Sequence, residues 1–201
     1  MLLERLDINP NTAKKKTPTP LLIATCRGYE GVVKMLLEQT DVNPNTKDEH
    51  GQTPLSIAAR KGHERVVKML LERVDINPNT ANKDGLMPLM IAAHEGHEGV
   101  VKILLERGDL NPNTANDGET PLFIAARKGR EGVVRMLLER NDVNPDIADN
   151  GGETLLLRAA WEGYERLVKM LLERNDLNPN TTNKYGQTPL FRAAWQGMKE
   201  L

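Results

Sequence analysis

Six times in 201 residues the chain writes one short loop: DINPNT from Asp7, DVNPNT from Asp41, DINPNT from Asp75, DLNPNT from Asp109, DVNPDI from Asp142 and DLNPNT from Asp176. A period this regular means that one supersecondary unit is being copied, so the fold follows from what a single unit can and cannot do alone. Aligned on itself, the chain gives segments beginning at Thr19, Thr53, Met87, Thr120, Thr154 and Thr188, in steps of 34, 34, 33, 34 and 34 residues. The short step has a visible cause. NTANDGETPL (113–122) lacks one residue relative to NTANKDGLMPL (79–89), so the loss falls in the loop and spares the flanking segments, as expected of a surface connection.

Each unit carries two helical signals. In TPLSIAARKG (53–62), the Thr53 hydroxyl can cap the first free backbone N–H groups, and Pro54 stands at the first helical position, where a missing N–H costs nothing. Gly62 ends the helix, and glycine recurs there as Gly28, Gly96, Gly129, Gly163 and Gly197. The spacing predicts a second helix over HERVVKMLLER (63–73), with Val66, Val67, Leu70 and Leu71 as its apolar stripe. Glu64, Lys68 and Glu72 form a ladder on its wet side. Helices of about 8 and 11 residues fall below the ~12–15 at which isolated helices become marginal. Burying four aliphatic side chains at ~1.5–3 kcal/mol each stabilises the pair only if something covers them. The neighbouring unit has the same face to hide, so the units should stack.

A two-helix unit of this period suits two repeat families. The tetratricopeptide pattern needs an early Trp and a Leu-Gly pair, and neither is here. GQTPLSIAARKGHERVVKMLLE (51–72) resembles the ankyrin repeat almost position for position, and the resemblance covers the whole chain. The DVNPNT loop is similar to that of fungal ankyrin arrays, such as those of NOD-like receptor proteins with a NACHT domain. The resemblance implies an all-α, right-handed solenoid of stacked helix-turn-helix units with short β-hairpin-like turns. It implies six first helices, five complete second helices and two partial ones at the ends. We expect one array over residues 1–201: a partial unit 1–16, units starting near 17, 51, 85, 118 and 152, and a partial last unit 186–201.

Departures from the family pattern carry their own expectations. Where ankyrin repeats place a hydrogen-bonding His, this chain has Leu22, Ser56, Met90, Phe123, Leu157 and Phe191, so apolar packing is expected there. Met87 replaces a capping Thr, Leu155 replaces a Pro, and Thr17-Pro18 stands where other units have a turn glycine, which predicts an irregular first turn. The repeated DxNPNT loop should join one unit's second helix to the next unit's turn. Its apolar residue (Ile8, Val42, Ile76, Leu110, Val143 or Leu177) should plug the gap. Met1 aligns with Met35, inside a second helix, and Leu201 falls inside another. The chain therefore reads as a piece of a longer array, with apolar ends that fray and associate.

Composition narrows the function. Twenty-seven Lys and Arg against 28 Asp and Glu give a net charge of −1, without the basic excess of a nucleic-acid binder. The one basic run, Lys14 to Lys16, reads as a solvated loop. A single cysteine, Cys26, cannot form an internal disulfide, which suits an intracellular, cytoplasmic setting. MLLERLD lacks the apolar core of a signal peptide, and no run approaches a membrane span, so no membrane partner is expected. The Asn180-Thr181-Thr182 sequon is read as chance. No enzyme constellation survives inspection. Cys26 reads as an exposed helix position, and His94 and His97 are parted by Gly96 and lack two further ligands. EGHEG (95–99) is not the zinc-protease motif, and the turn glycines form no phosphate-cradling loop, so no metal and no cofactor are expected.

Variation between units gathers in the turn before Thr-Pro-Leu and at the end of the first helix, whereas the second helices barely change. In ankyrin proteins these positions line the concave face that grips partners. Carried over by position, the candidate partner-binding residues are Arg60, Lys61, His94, Glu95, Arg127, Lys128, Trp161, Glu162, Tyr185, Trp195 and Gln196. Both tryptophans of the chain occupy the same variable site in successive units, which predicts neighbouring indoles in the groove. The resemblance thus implies a protein-binding module, part of a larger receptor or scaffold. The alternative is a structural or self-associating array without a foreign partner.

Overall fold

Thr53 shows how a first helix starts in this chain. Its extended backbone (φ −84°, ψ 164°) turns the side chain back onto the helix, where Oγ1 accepts from the Ser56 N–H at 3.2 Å. Pro54 follows at the first helical position, and Gly62 ends the helix at φ 71°. Thr19, Thr120, Thr154 and Thr188 cap their helices in the same way. Ser56 departs from the expected apolar packing. Its hydroxyl accepts from the Thr53 N–H at 3.4 Å and completes a reciprocal capping box, so at this one position a polar side chain does local work. Leu22, Met90, Phe123 and Leu157 are buried as expected.

The computed structural model describes residue 11 and residues 18–197. Its contacts divide the chain into two compact units, residues 1–92 with 99–110 and residues 93–98 with 111–201. The first contains α1 (Pro20–Arg27), α2 (Glu30–Leu37), α3 (Pro54–Lys61) and α4 (Glu64–Leu71). The second contains α7 (Pro121–Arg127), α8 (Glu131–Leu138), α9 (Leu155–Glu162), α10 (Glu165–Leu172) and α11 (Pro189–Gln196). The sequences of α5 (Pro88–Glu95) and α6 (Glu98–Leu105) are shared between the two. Within each unit the helices pack as pairs, α1 with α2 and α3 with α4, α7 with α8 and α9 with α10. Like helices of neighbouring repeats also meet: α1 with α3, α2 with α4, α8 with α10 and α9 with α11. Ile8, Lys14 to Lys16, Thr17 and both expected partial second helices lie outside the described residues.

Second helices are shorter than the sequence predicts. Over HERVVKMLLER the helix runs only from Glu64 to Leu71. His63 precedes it in a non-helical conformation (φ −80°, ψ 75°), and the Arg73 N–H reaches Leu70 O, three residues back, tightening the last turn. Arg73 is then free for another task. Its guanidinium grips Asp75 with two bonds, Nε to Oδ1 at 2.9 Å and Nη2 to Oδ2 at 2.8 Å. It also donates to Leu37 O (2.8 Å) and Gln39 O (3.2 Å) of the preceding repeat, carbonyls that the end of α2 leaves without helical partners. Arg107 repeats the grip on Asp109 and reaches Leu71 O at 2.9 Å. Arg174 holds Asp176 and reaches Leu138 O, Arg140 O and Val143 O at 2.6, 2.7 and 3.0 Å. Arg140 and Asp142 form the same bidentate pair. The guanidinium hydrogen bonds hold the carboxyls of Asp75, Asp109, Asp142 and Asp176 below the ordinary aspartate range, the local charge adding to them.

The DxNPNT loop lies beside this clamp, and its two asparagines have different tasks. The first bends its own loop: Asn43 Oδ1 accepts from the Asn45 N–H at 2.9 Å, and Asn111 Oδ1 from the Asn113 N–H at 2.9 Å. The second reaches the next repeat. Asn45 Nδ2 donates to Asp75 O at 2.7 Å while its Oδ1 accepts from the Asn77 N–H at 2.9 Å. Asn113 makes the same two bonds, to Asp142 O at 2.6 Å and from the Asn144 N–H at 2.7 Å. Between these contacts Val42, Ile76, Leu110, Val143 and Leu177 are buried, as plugs of the joint should be.

The turns before the first helices are stapled by one side chain each. Asp48 Oδ1 accepts from the N–H groups of His50 and Gln52, both at 2.8 Å. Asp149 does so for Gly151 and Glu153, and Asn183 for Tyr185 and Gln187. The deleted residue changes this design. Asn116 and Glu119 exchange backbone bonds of 3.2 and 2.9 Å around Asp117 (φ 52°) and Gly118 (φ 83°). Two central residues at positive φ make this a type I′ hairpin turn, for which Asp-Gly is a preferred pair. It is the only bridge among the described residues.

Candidate functional site

The variable positions of the second unit sit on those stapled turns and at the C-terminal ends of first helices. Asn183 fixes the turn that carries Tyr185, and Tyr185 is 83% exposed. The Lys184 N–H adds a 3.3 Å bond to Gly151 O, tying this turn to the one before it. The aromatic ring is therefore displayed on a backbone held by both local and inter-repeat bonds.

The helix-end positions divide into paired and open ones. His94 Nδ1 lies 3.3 Å from Glu95 Oε1, and Arg127 pairs with Glu119 at 3.0 Å. Lys128, Glu162 and Gln196 are exposed. In the first unit Arg60 is half-buried and Lys61 exposed. The two tryptophans are not equivalent. Trp161 is half-buried, and the Arg192 guanidinium lies over its ring, 4.5 Å from the centroid. Trp195 is 71% exposed and stacks on Phe191, centroids 6.1 Å apart and planes 25° apart. Leu190 and Phe191 beside it are 69% and 47% exposed, whereas their counterparts Leu156 and Leu157 are buried. Trp195, Phe191, Leu190 and Tyr185 are thus the large apolar side chains that α11 and its turn offer to solvent.

Arg158 and Arg192, which are not among the candidate residues named from the sequence, organise this region. Arg158 lies 5.5 Å from the Phe123 ring centroid and 3.8 Å from Asp149. Arg192 pairs with Glu153, both side chains being largely buried, and Asn183 Nδ2 donates to the same carboxylate at 2.8 Å. A signal for them exists in the sequence. The fourth residue of the first helix is Ile in four repeats (Ile23, Ile57, Ile91, Ile124) and changes to Arg in the last two.

Elsewhere in the second unit, a cleft of about 390 Å³ opens between α8 and α10, floored by Val134, Leu167 and Met170. Gly129 lines it and has open space where a side chain would lie, whereas Arg130 covers Gly96 and His63, in the first unit, covers Gly28. Among the described residues, no three His, Cys, Asp or Glu side chains gather as a metal ion would need. No described helix is long and apolar enough to cross a membrane.

Comparison with known proteins agrees with this architecture. A family model described as ankyrin repeats in three copies matches residues 1–82, 74–149 and 141–201. The crystal structure of the ankyrin repeat domain of Bcl-3, a member of the IkappaB family, superposes with a TM-score of 0.84 at 26% identity. That match covers 94% of this chain and 82% of the other. EF0377, an ankyrin repeat protein, superposes with a TM-score of 0.80 at 27% identity, covering 89% of this chain and 92% of its own. No curated protein matches the chain in sequence.

Proposed function

Because this chain belongs to the ankyrin-repeat family, whose members generally serve as protein-protein interaction modules, we propose that it binds a partner protein through the variable turn and helix-end face. The observation that carries this reading is the exposed cluster of Tyr185, Trp195, Phe191 and Leu190 on a hydrogen-bonded platform. Tyrosine and tryptophan anchor interfaces because they bury much area with few rotatable bonds. His94, Glu95, Arg127, Lys128, Trp161, Glu162 and Gln196 would extend the same face along the helix ends of the second unit, and Arg60 and Lys61 hold the matching positions of the first unit. The role is that of a recognition or scaffold part within a larger intracellular protein. The exposed free thiol of Cys26 fits a reducing compartment.

The apolar exposure of Leu190 and Phe191 also suits the alternative of self-association. Affinity capture from native lysate separates the two. Tyr185→Ala with Trp195→Ala should remove a captured foreign partner while the melting temperature stays within about 2 °C of the parent, as expected for exposed positions. Capture that is indifferent to both substitutions would refute the face. Capture of nothing but further copies of the chain would favour the alternative.

A further inference from the structure

Of all the asparagines in the sequence, one precedes a glycine: Asn150, followed by Gly151 and Gly152. Asn150 is exposed, and its side-chain amide has no hydrogen-bond partner among the described residues. The turn asparagines Asn82 and Asn183 are buried instead, and each Oδ1 accepts two backbone bonds. In the DxNPNT loops the first asparagine precedes a proline, which has no N–H. Sister turns place His50 and Tyr185 where this one has Gly151, and Lys184 where it has Asn150. A free asparagine amide beside a glycine nitrogen is therefore peculiar to this repeat. Its turn is also a junction. Asp149 Oδ1 accepts from the N–H groups of Gly151 and Glu153, at 2.7 and 3.0 Å. Gly151 O accepts from the Lys184 N–H of the next turn at 3.3 Å, and Glu153 holds Arg192 of α11.

We propose that Asn150 is a site of spontaneous deamidation, restrained by Asp149 while the turn is intact, and that its product loosens the last repeat. The Gly151 nitrogen gives up its proton to a solvent base and attacks Asn150 Cγ. The new C–N bond closes a succinimide, and the side-chain nitrogen leaves as ammonia. Water then opens either ring carbonyl, yielding aspartate or isoaspartate. Glycine suits the attack because it has no Cβ to obstruct the approach and its backbone turns freely. The proton that must leave is the one donated to the Asp149 carboxylate, in a charge-assisted bond that holds it in place. In isoaspartate the main chain passes through Cγ and is one carbon longer, so the Asp149 staple and the Lys184 bond no longer fit the same turn. Glu153 lies just beyond, and through it the change reaches Arg192 and α11.

The test is to age the folded chain at mildly alkaline pH and physiological temperature and to map its peptides by mass spectrometry, with electron-transfer fragmentation to identify isoaspartate. Asn150 should convert before any other asparagine. Asp149→Ala should speed that conversion about tenfold, the factor to which a hydrogen bond with a charged group corresponds. Asp149→Asn keeps the acceptor without the charge, as Asn82 and Asn183 do in their own turns, and should convert at a rate between the two. Gly151→His, which copies the sister turn at His50, should suppress the reaction with the melting temperature unchanged. Hydrogen exchange on the aged sample should show protection lost along α11 and kept along α7. The proposal is overturned if another asparagine, or either Asp-Gly pair (Asp84-Gly85 or Asp117-Gly118), converts first. It is equally overturned if neither Asp149 variant converts faster than the parent, or if the isoaspartate fraction keeps the parent's protection in α11.

Discussion

Asp146 is the weak joint of the repeat series, and restoring asparagine there should stabilise the protein. Asn45, Asn79 and Asn113 each donate Nδ2 to the aspartate carbonyl of the next repeat, at 2.7, 3.0 and 2.6 Å. Asp146 holds the same place and can only accept. It keeps the bond from the Asn178 N–H to Oδ2 at 2.8 Å, but Oδ1 is buried without a hydrogen-bond partner. Asp146→Asn replaces that oxygen with a donor facing the Asp176 carbonyl. A net hydrogen bond contributes ~0.5–1.5 kcal/mol, and relief of an unsatisfied acceptor adds to it, so the gain should be about 1–2 kcal/mol. For a chain of this size that corresponds to about 2–8 °C in melting temperature. Urea titration measures the global effect, and hydrogen exchange at Asn178 and along the Asn183 turn measures the local one. The mirror variant Asn113→Asp should cost a similar amount at the preceding joint. The reasoning is refuted if Asp146→Asn leaves urea midpoint and exchange unchanged, or if Asn113→Asp is neutral.

Arg174→Ala should cost about 2–3 kcal/mol, because it removes the Asp176 pair and leaves three carbonyls without a charged donor; exchange protection of α10 should fall before that of α7. Trp161→Ala should lower the melting temperature by several degrees, since it leaves Arg192 without the ring that covers it, and thermal scans should show a much smaller loss for Trp195→Ala. Gly118→Ala should cost about 1–3 kcal/mol by urea titration, because φ is 83° and an added Cβ would lie 2.3 Å from Asp149 Cα. The aspartates of the four clamps have folded-state pKa values below their unfolded ones, so their contribution is present above about pH 4 and lost as pH falls through the depressed values. Replacing all four with Asn should flatten the acid limb of a stability-versus-pH curve below pH ~4 and leave its slope near neutrality unchanged.

What could be read from the sequence was what local chemistry decides. Thr53, Pro54 and Gly62 act within one helix, and the stripe of Val66, Val67 and Leu70 follows the helical period, so one repeat sufficed to place them. The apolar plug at Val42 or Val143 was legible because the joint recurs. The arginine clamp was not. Its acceptors lie 31 to 36 residues upstream and are main-chain carbonyls, which carry no side-chain signature. Only the recurrence of Arg and Asp two apart hinted at it. The Asp117-Gly118 turn was visible as a dipeptide, but a missing residue reads as tolerance until both residues are seen at positive φ. For the candidate site, comparing repeats found Trp161 and Trp195 and gave them equal standing. What separates them is Arg192, one helix later, so exposure at one repeat is set by the residue that the following repeat happens to carry.

The asparagine staple has an evolutionary side. It joins a side-chain amide to the backbone of the next unit, and a backbone is the same whatever the neighbour's sequence. Such a fastener does not check identity. A recombination event that duplicates, deletes or shuffles a whole unit leaves every new junction properly fastened, and selection then meets altered faces on an intact frame. Asp146 marks the one described junction where that interchangeability lapses. Units copied across it inherit half a fastener, so gain and loss of repeats should be tolerated more readily on its N-terminal side than at the junction itself.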